Sequence, residues 1–338
     1  MNLNTLNEFR HGMYHYFGNA KAALFNLVDA LCSEAGASSF PEWSFSPFFE
    51  RSWASLYEEL EDGQIDAERL RQLFVDFAPL PRAGETVFLG IDTSNLSRPE
   101  AETAEDRTLV PLANLPKNTH AASPGWVMSH MVLLPTQAGQ ATFMLDTARV
   151  ASTELATEVA ARQLHAVVAL LLARGLHPII VGDRWYACAP FLTRVADVEV
   201  TCLLRVKSHR VFSRPAPPRL PGQLGASRKD GERFQCQDES SHGEPDETWE
   251  GVDAKGARIQ VRCWNHLHLR SAREIEVSLI QIIRHGASGK ARDPRISGFV
   301  WKGERSAPLA QISPTYRATR MSMAIALTNR SCSGMGHD

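Results

Sequence analysis

The chain has 338 residues, 43% of them hydrophobic and 22% charged, with a formal net charge of −2. That length suits two domains or one large one, and the near-neutral balance excludes a globally basic nucleic-acid binder, so any DNA contact has to come from local patches. No apolar run approaches the roughly 20 residues of a membrane helix, and six cysteines without a CxxC pair argue against a zinc finger or a disulfide scaffold.

The opening MNLNTLNEFRHGMY has no signal-peptide pattern. With the unpaired cysteines, this points to a reducing cytoplasm. Only seven of the 36 basic residues are lysine. Arginine suits bidentate phosphate contacts, although a GC-rich genome gives the same bias.

Residues 1–82 read as helical. Ala20 to Leu31 has apolar residues at helical spacing, and Pro41 is expected to break the chain. Phe48 to Leu60 and Ala67 to Phe77 follow as amphipathic helices around a Gly63 turn. Trp43, Phe45, Phe48, Phe49, Trp53 and Tyr57 supply a small aromatic core. Ala78 to Arg82 reads as a linker.

Val87, Phe88, Leu89 and Ile91 form a β-prone run opened by Pro81 and Gly84. It is too short for a helix, so a buried strand over 86–95 is expected. Asp92 sits inside it. A carboxylate in a buried strand costs several kcal/mol, roughly, unless it is paired or holds a metal. The alternative is a strand-end Asp that caps the next turn. Residues 96–124 read as a polar, Pro-rich exposed loop. Val127 to Leu134 and Ala141 to Leu145 follow as strands joined by the Gln137 to Gln140 turn, with Asp146 at the end of the third strand as a rival acid.

A long helix opens near Ser152 or Thr153 as cap, carries acids in its first turn and stops at Gly175. A fourth strand then ends in Gly182, where the backbone is free to turn, and Asp183. Val198 to Val206 is a fifth strand. Two acids at strand ends in an α/β chain suggest a shared carboxylate site, of the kind that holds Mg²⁺ and runs phosphoryl transfer.

From Phe212 to Gly256 the chain turns polar. A basic block over 205–233 precedes an acidic block over 237–253, and such blocks form solvated loops. Arg258 to Leu269, Glu274 to Ile283 and Ile296 to Lys302 alternate like strands. His266 and His268 fall on one face of such a strand but lack a third zinc ligand nearby. Gly286 to Lys290 lacks the spacing of a phosphate loop and reads as a hairpin turn. Cys188 has no evident His partner and reads as core. No GxSxG elbow is present.

IDTSN around Asp92 and GDRWY around Asp183 resemble bacterial insertion-sequence transposases of the DDE superfamily. RPEAET from Arg98, SPGWVMSH from Ser123 and LLRVK from Leu203 extend the resemblance from about Pro79 to Tyr316. It implies an α/β, ribonuclease H-like mixed sheet with flanking helices over 83–317, with strands one and four side by side. It also implies an N-terminal helical region, 1–82, that binds the transposon end, and a β-rich, DNA-facing insertion at about 207–300.

By the same resemblance Asp92 and Asp183 are catalytic acids and metal ligands for two Mg²⁺ ions, with Mn²⁺ as a substitute, and Asp146 is structural. Arg184, Arg205, Lys207, Arg210, Tyr316 and Arg317 would contact DNA. The implied partners are transposon inverted repeats, target DNA and a second copy of the chain on paired ends, with no membrane.

The family's third acid lies in the helical pattern Tyr-x2-Arg-x3-Glu-x6-Lys. Here the chain reaches Pro314-Thr-Tyr-Arg317 in order, but no Glu follows Glu304 and the only later acid is Asp338. Residues 318–338 therefore read as an aberrant tail, and the chain as an inactive transposase. Methionine is always ATG. Met321-Ser322 written ATG-AGC and moved by one base gives GAG, a Glu codon, and Met323 to Asn329 can be back-translated so that Lys falls at the family's spacing. The distance from Tyr316 to that Glu is slightly short. A frameshift is the expected cause. Two other readings stay open: a catalytically silent DNA-binding remnant, and a metal-dependent nuclease of the same fold.

Overall fold

The computed structural model describes residues 2–303, except 38, 113–120, 136–139, 220, 222–223, 253–257 and 285–296. The Gly286 to Lys290 turn, Tyr316, Arg317, the tail from 318 and most of the Gln137 to Gln140 turn lie outside the described residues. The chain divides into two compact units, with the boundary between Pro79 and Leu80.

The first unit holds α1 (Leu3–Tyr16), α2 (Lys21–Ser33), α3 (Phe40–Trp43), α4 (Trp53–Asp62) and α5 (Ala67–Phe77). Side-chain caps set the starts of four of them, α3 among these. Asn2 accepts from the Thr5 N–H, Ser52 from that of Ser55, and Asp66 from that of Arg69. Pro41 does not break the chain. It lies in the first turn of α3, where its missing N–H is not needed, beside a Ser39–Glu42 capping box. The Ser52 cap also delays α4 to Trp53, five residues later than its apolar pattern predicts. The aromatic core is partial. Phe49 is buried with Leu27, Ala30 and Leu56, with Phe40 and Trp43 packed against them, whereas Phe45 and Trp53 are exposed.

The second unit is built on one mixed sheet. Its strands are β1 (Thr86–Ser97), β2 (Thr108–Pro111), β3 (Ala122–Leu133), β4 (Phe143–Val150), β5 (His177–Gly182), β6 (Thr201–Arg205), β7 (Val211–Ser213), β8 (Arg233–Gln235), β9 (Glu247–Val252), β10 (Arg258–Leu269), β11 (Ala272–Arg284) and β12 (Ser297–Lys302). They run in the order β2-β3-β1-β5-β6-β12-β11-β10-β7-β8, with β4 on β3 and β9 on β10. β1, β5 and β6 are mutually parallel neighbours. β3 lies antiparallel on the other side of β1. This is the ribonuclease H-like sheet, and β12 joins the hairpin β10–β11 to it through β6.

Parallel central strands have both faces covered, which explains their unbroken apolar runs. On one face α6 (Ala156–Leu172) packs against β3, β4 and β5. Phe88, Val132, Ile179, Val181 and Leu203 share a core with Val261, Ile280, Phe299 and Trp301 from the added strands.

Four expectations change. The 96–124 loop holds β2 and the first part of β3. Gly125 makes this possible, because a Cβ there would stand 2.2 Å from the Leu96 carbonyl. Asp146 does not end its strand but lies within β4, paired with Met131 next to a register shift. α6 starts at Ala156, not Ser152, because Asp106 Oδ1 takes the Ser152 amide at 3.0 Å. Gly182 is not needed for a left-handed turn. A Cβ there would meet Leu204, Ile91 and Tyr186 at 2.9–3.2 Å, so its role is to leave space.

Candidate active site

The register of the parallel strands places the two acids. Ile91 pairs with Gly182 across β1 and β5, so Asp92 and Asp183 follow at the same level on strands about 4.8 Å apart. Gly182 in turn pairs with Leu204 on β6, which sets Arg205 beside Asp183. On the antiparallel side Asp92 pairs directly with His130 of β3. One rung across four strands thus reads His130, Asp92, Asp183, Arg205.

Each carboxylate is partly held by backbone. Thr93 N–H donates to Asp92 Oδ1 at 2.8 Å, and Trp185 N–H to Asp183 Oδ1 at 2.7 Å. Desolvation raises the Asp183 carboxyl above its ordinary range, opposed by the Trp185 amide and then by the charges of Arg184, Arg205 and Lys207. Three of the cations expected to contact DNA therefore act on this one acid. Lys207 Nζ also sits 3.7 Å from the centre of the Trp185 ring, which is 61% exposed.

Sequence reasoning missed His130. It lies in SPGWVMSH, a stretch read for its resemblance and not for chemistry. Nε2 shares a hydrogen bond of 2.7 Å with Ser94 Oγ, and Nδ1 one of 2.8 Å with Thr147 Oγ1. Burial lowers the ring's basicity, so it is neutral at pH 7. With both nitrogens engaged, His130 orients Ser94, two residues from Asp92 on the same face of β1. Tyr186 was missed too. Its side chain is 3% exposed, and its hydroxyl is buried without a hydrogen-bond partner among the described residues.

Other predicted residues fall elsewhere. Arg210 is half-buried at the base of the insertion, where its carbonyl accepts from the Cys236 N–H at 3.0 Å. Tyr316 and Arg317 lie outside the described residues. His266 and His268 do not share a face. His266 has a positive φ of 56° at an irregularity in β10, so it turns outward to Glu276, while the buried His268 meets Asp230 at 3.1 Å. Cys188 is half-buried just before α7 (Ala189–Arg194).

The donor set suits a hard divalent cation. Two neighbouring carboxylates supply oxygens, and Mg²⁺ takes one or two carboxylates with water in the rest of its shell. Among the described residues no cluster of three or more His, Cys, Asp or Glu could hold a metal.

The family model described as DDE superfamily endonuclease matches residues 12–268. This chain belongs to that family. The match covers most of the chain and includes His130, Asp92, Asp183 and Arg205. Endonucleases of this superfamily use divalent metal ions, in keeping with the oxygen donors of the rung. No curated protein matches the chain. Among the described residues no helix is long and apolar enough to cross a membrane.

Proposed function

We propose that the chain is an insertion-sequence transposase by descent, built to cut and join DNA at Asp92 and Asp183. The observation that carries this reading is the placing of those acids at one level on adjacent parallel strands. The pair would hold Mg²⁺, or Mn²⁺ in its place. When bound, the ion polarises a phosphoryl oxygen and lowers the pKa of water.

The protein's own contribution is placement. The Thr93 and Trp185 amides fix one oxygen of each carboxylate. Arg205, Arg184 and Lys207 gather positive charge around Asp183 and would take up DNA phosphates. The helical unit of residues 1–79 would bind transposon ends, with two copies of the chain working on paired ends in the cytoplasm. Tyr316 and Arg317 would add DNA contacts, whereas Arg210, half-buried at the base of the insertion, would not.

In this reading the chain itself is inactive, because the stretch after Tyr316 carries no Glu at the family's spacing to serve as third acid. Loss of one carboxylate from a preorganised metal clamp lowers the rate by orders of magnitude. A DNA-binding remnant is therefore the second reading. A gel shift with the flanking inverted repeats, run beside a Mg²⁺ cleavage assay, tests both. End binding without cleavage is expected. Robust cleavage by the 338-residue chain overturns the inactive reading, and failure to bind the repeats overturns the transposon-end assignment. Sequencing the gene tests the frameshift: the frame that encodes Glu has to be open beyond Tyr316.

A further inference from the structure

Trp185 is 61% exposed, the most exposed tryptophan among the described residues. An indole is one of the largest apolar surfaces a side chain can hide, so leaving it in water is costly. Two local roles fail to justify it. Its backbone N–H closes the turn on Asp183 Oδ1 at 2.7 Å, but any residue other than proline would supply that N–H. Lys207 Nζ lies 3.7 Å from the ring centre. A cation over an exposed ring contributes less than burial of the indole would, so this contact does not account for the exposure either. Trp53, the other exposed tryptophan described, differs: it meets another ring, Tyr57, edge-on at 6.1 Å.

The backbone sets where the ring stands. Trp185 comes two residues after Asp183 and is tied to its carboxylate. Lys207 comes two residues after Arg205, which the β5–β6 register places beside Asp183. Lysine and indole therefore meet at the carboxyl ends of the parallel strands, the end that carries both acids. The ammonium covers one face of the indole, and the exposure leaves the other open. An open aromatic face beside a cation is the pairing that receives a nucleic-acid strand, with the base on the ring and the phosphate on the charge. A base within a duplex has both faces covered by its neighbours, so only an unstacked base can use this one.

We propose that Trp185 is a base-stacking residue of the two-acid site, taking an unpaired nucleobase of the strand whose phosphate lies at Asp92 and Asp183. This rests on the reading of that site as one that cuts DNA. Lys207 holds the far face of the ring and meets the strand's phosphate. The indole thereby selects a strand opened beside the acids and adds binding that salt does not screen.

The test uses the full chain, a single-stranded oligonucleotide of mixed sequence and the blunt duplex formed from it, with affinity read by fluorescence anisotropy across a salt series. Trp185→Ala should weaken single-strand binding about tenfold, the scale of one lost base stack, and leave duplex binding within about twofold. The slope of affinity against salt should stay at the wild-type value, because no charge is removed. Trp185→Phe keeps a ring and should recover part of the loss. Unchanged single-strand affinity in Trp185→Ala overturns the proposal. So does an equal loss on both DNAs, or a Trp185→Phe variant as weak as Trp185→Ala. Thermal melts of both variants should match wild type, and a lowered melting temperature in both identifies a structural ring and also overturns it. If wild type binds neither DNA, the DNA reading of the two acids falls and takes the proposal with it. If wild type binds both while Trp185→Ala matches it on each, or binds the duplex alone, only the stacking role is overturned.

Discussion

The central strands β1, β5 and β6, with the residue that follows β5, and the insertion around β7 to β11 both carry charge, but they use it in opposite ways. In the insertion the charges cancel locally. Asp230 is held by Arg273 at 2.7 and 2.9 Å, by His268 at 3.1 Å and by Arg270 at 3.4 Å. Glu250 meets Arg258, and Glu276 meets His266. On the central strands the register aligns His130, Asp92, Asp183 and Arg205 in one row, and burial works against the Asp183 charge. Charge spent on a neighbour builds a fold, and charge held at a cost beside a second carboxylate marks a site.

The contrast is open to direct attack. The largest effect is expected in the insertion core, where Phe234 stacks on His242 at 4.2 Å and meets Trp264 edge-on at 5.4 Å. Phe234→Ala should cost about 3–5 kcal/mol in denaturant unfolding. A smaller cost would show that this core contributes little.

Next comes Asp183. Its carboxyl pKa is raised in the folded state. Its contribution to stability is therefore complete below the unfolded value and is lost as pH rises through the folded one. At pH 7 the ionised group thus opposes folding. Asp183→Asn should raise the melting temperature of the cation-free protein and remove the stabilisation that Mn²⁺ gives wild type. A lower melting temperature without cation would place Asp183 with the structural charges.

For DNA, Arg205→Ala with Lys207→Ala should flatten the salt dependence of binding by about one unit of slope per lost contact. Arg210 is half-buried, and Arg214 donates to the His242 carbonyl at 2.6 Å. Replacing those two should leave the slope nearly unchanged. An equal loss in both pairs would erase the distinction between the regions.

The smallest effects are in pH dependence. Burial lowers the His130 pKa, so its stabilisation is complete above about pH 6.5 and falls as pH drops through the folded value. Thermal melts of His130→Gln should be flatter than wild type between about pH 5 and 7. Asp230 is depressed in the folded state, first by its hydrogen bonds from Arg273. Its contribution is present above about pH 4 and lost on further acidification. Asp230→Asn should lose that acid limb and leave Mn²⁺ binding at the acids untouched.

The sequence by itself determined the strand-helix order of the central sheet apart from the short β2, the placing of Asp92 and Asp183 on or just after apolar strands, and the ends of several helices. Each of these is written in local pattern: a short β-branched run ended by an acid, a stop at Gly175, a cap at Asp66. Only the tertiary structure decided which residues meet. His130 became a neighbour of Asp92 through the β1–β3 register, and Arg205 a neighbour of Asp183 through β5–β6. A shift of one residue in either pairing would send those side chains to the opposite face, and nothing local records that choice. The turn at His266, the hidden strand β2 and the unpartnered hydroxyl of Tyr186 were illegible for the same reason. A hydrogen bond, a close approach or a missing partner belongs to two distant segments at once, and composition and spacing describe only one.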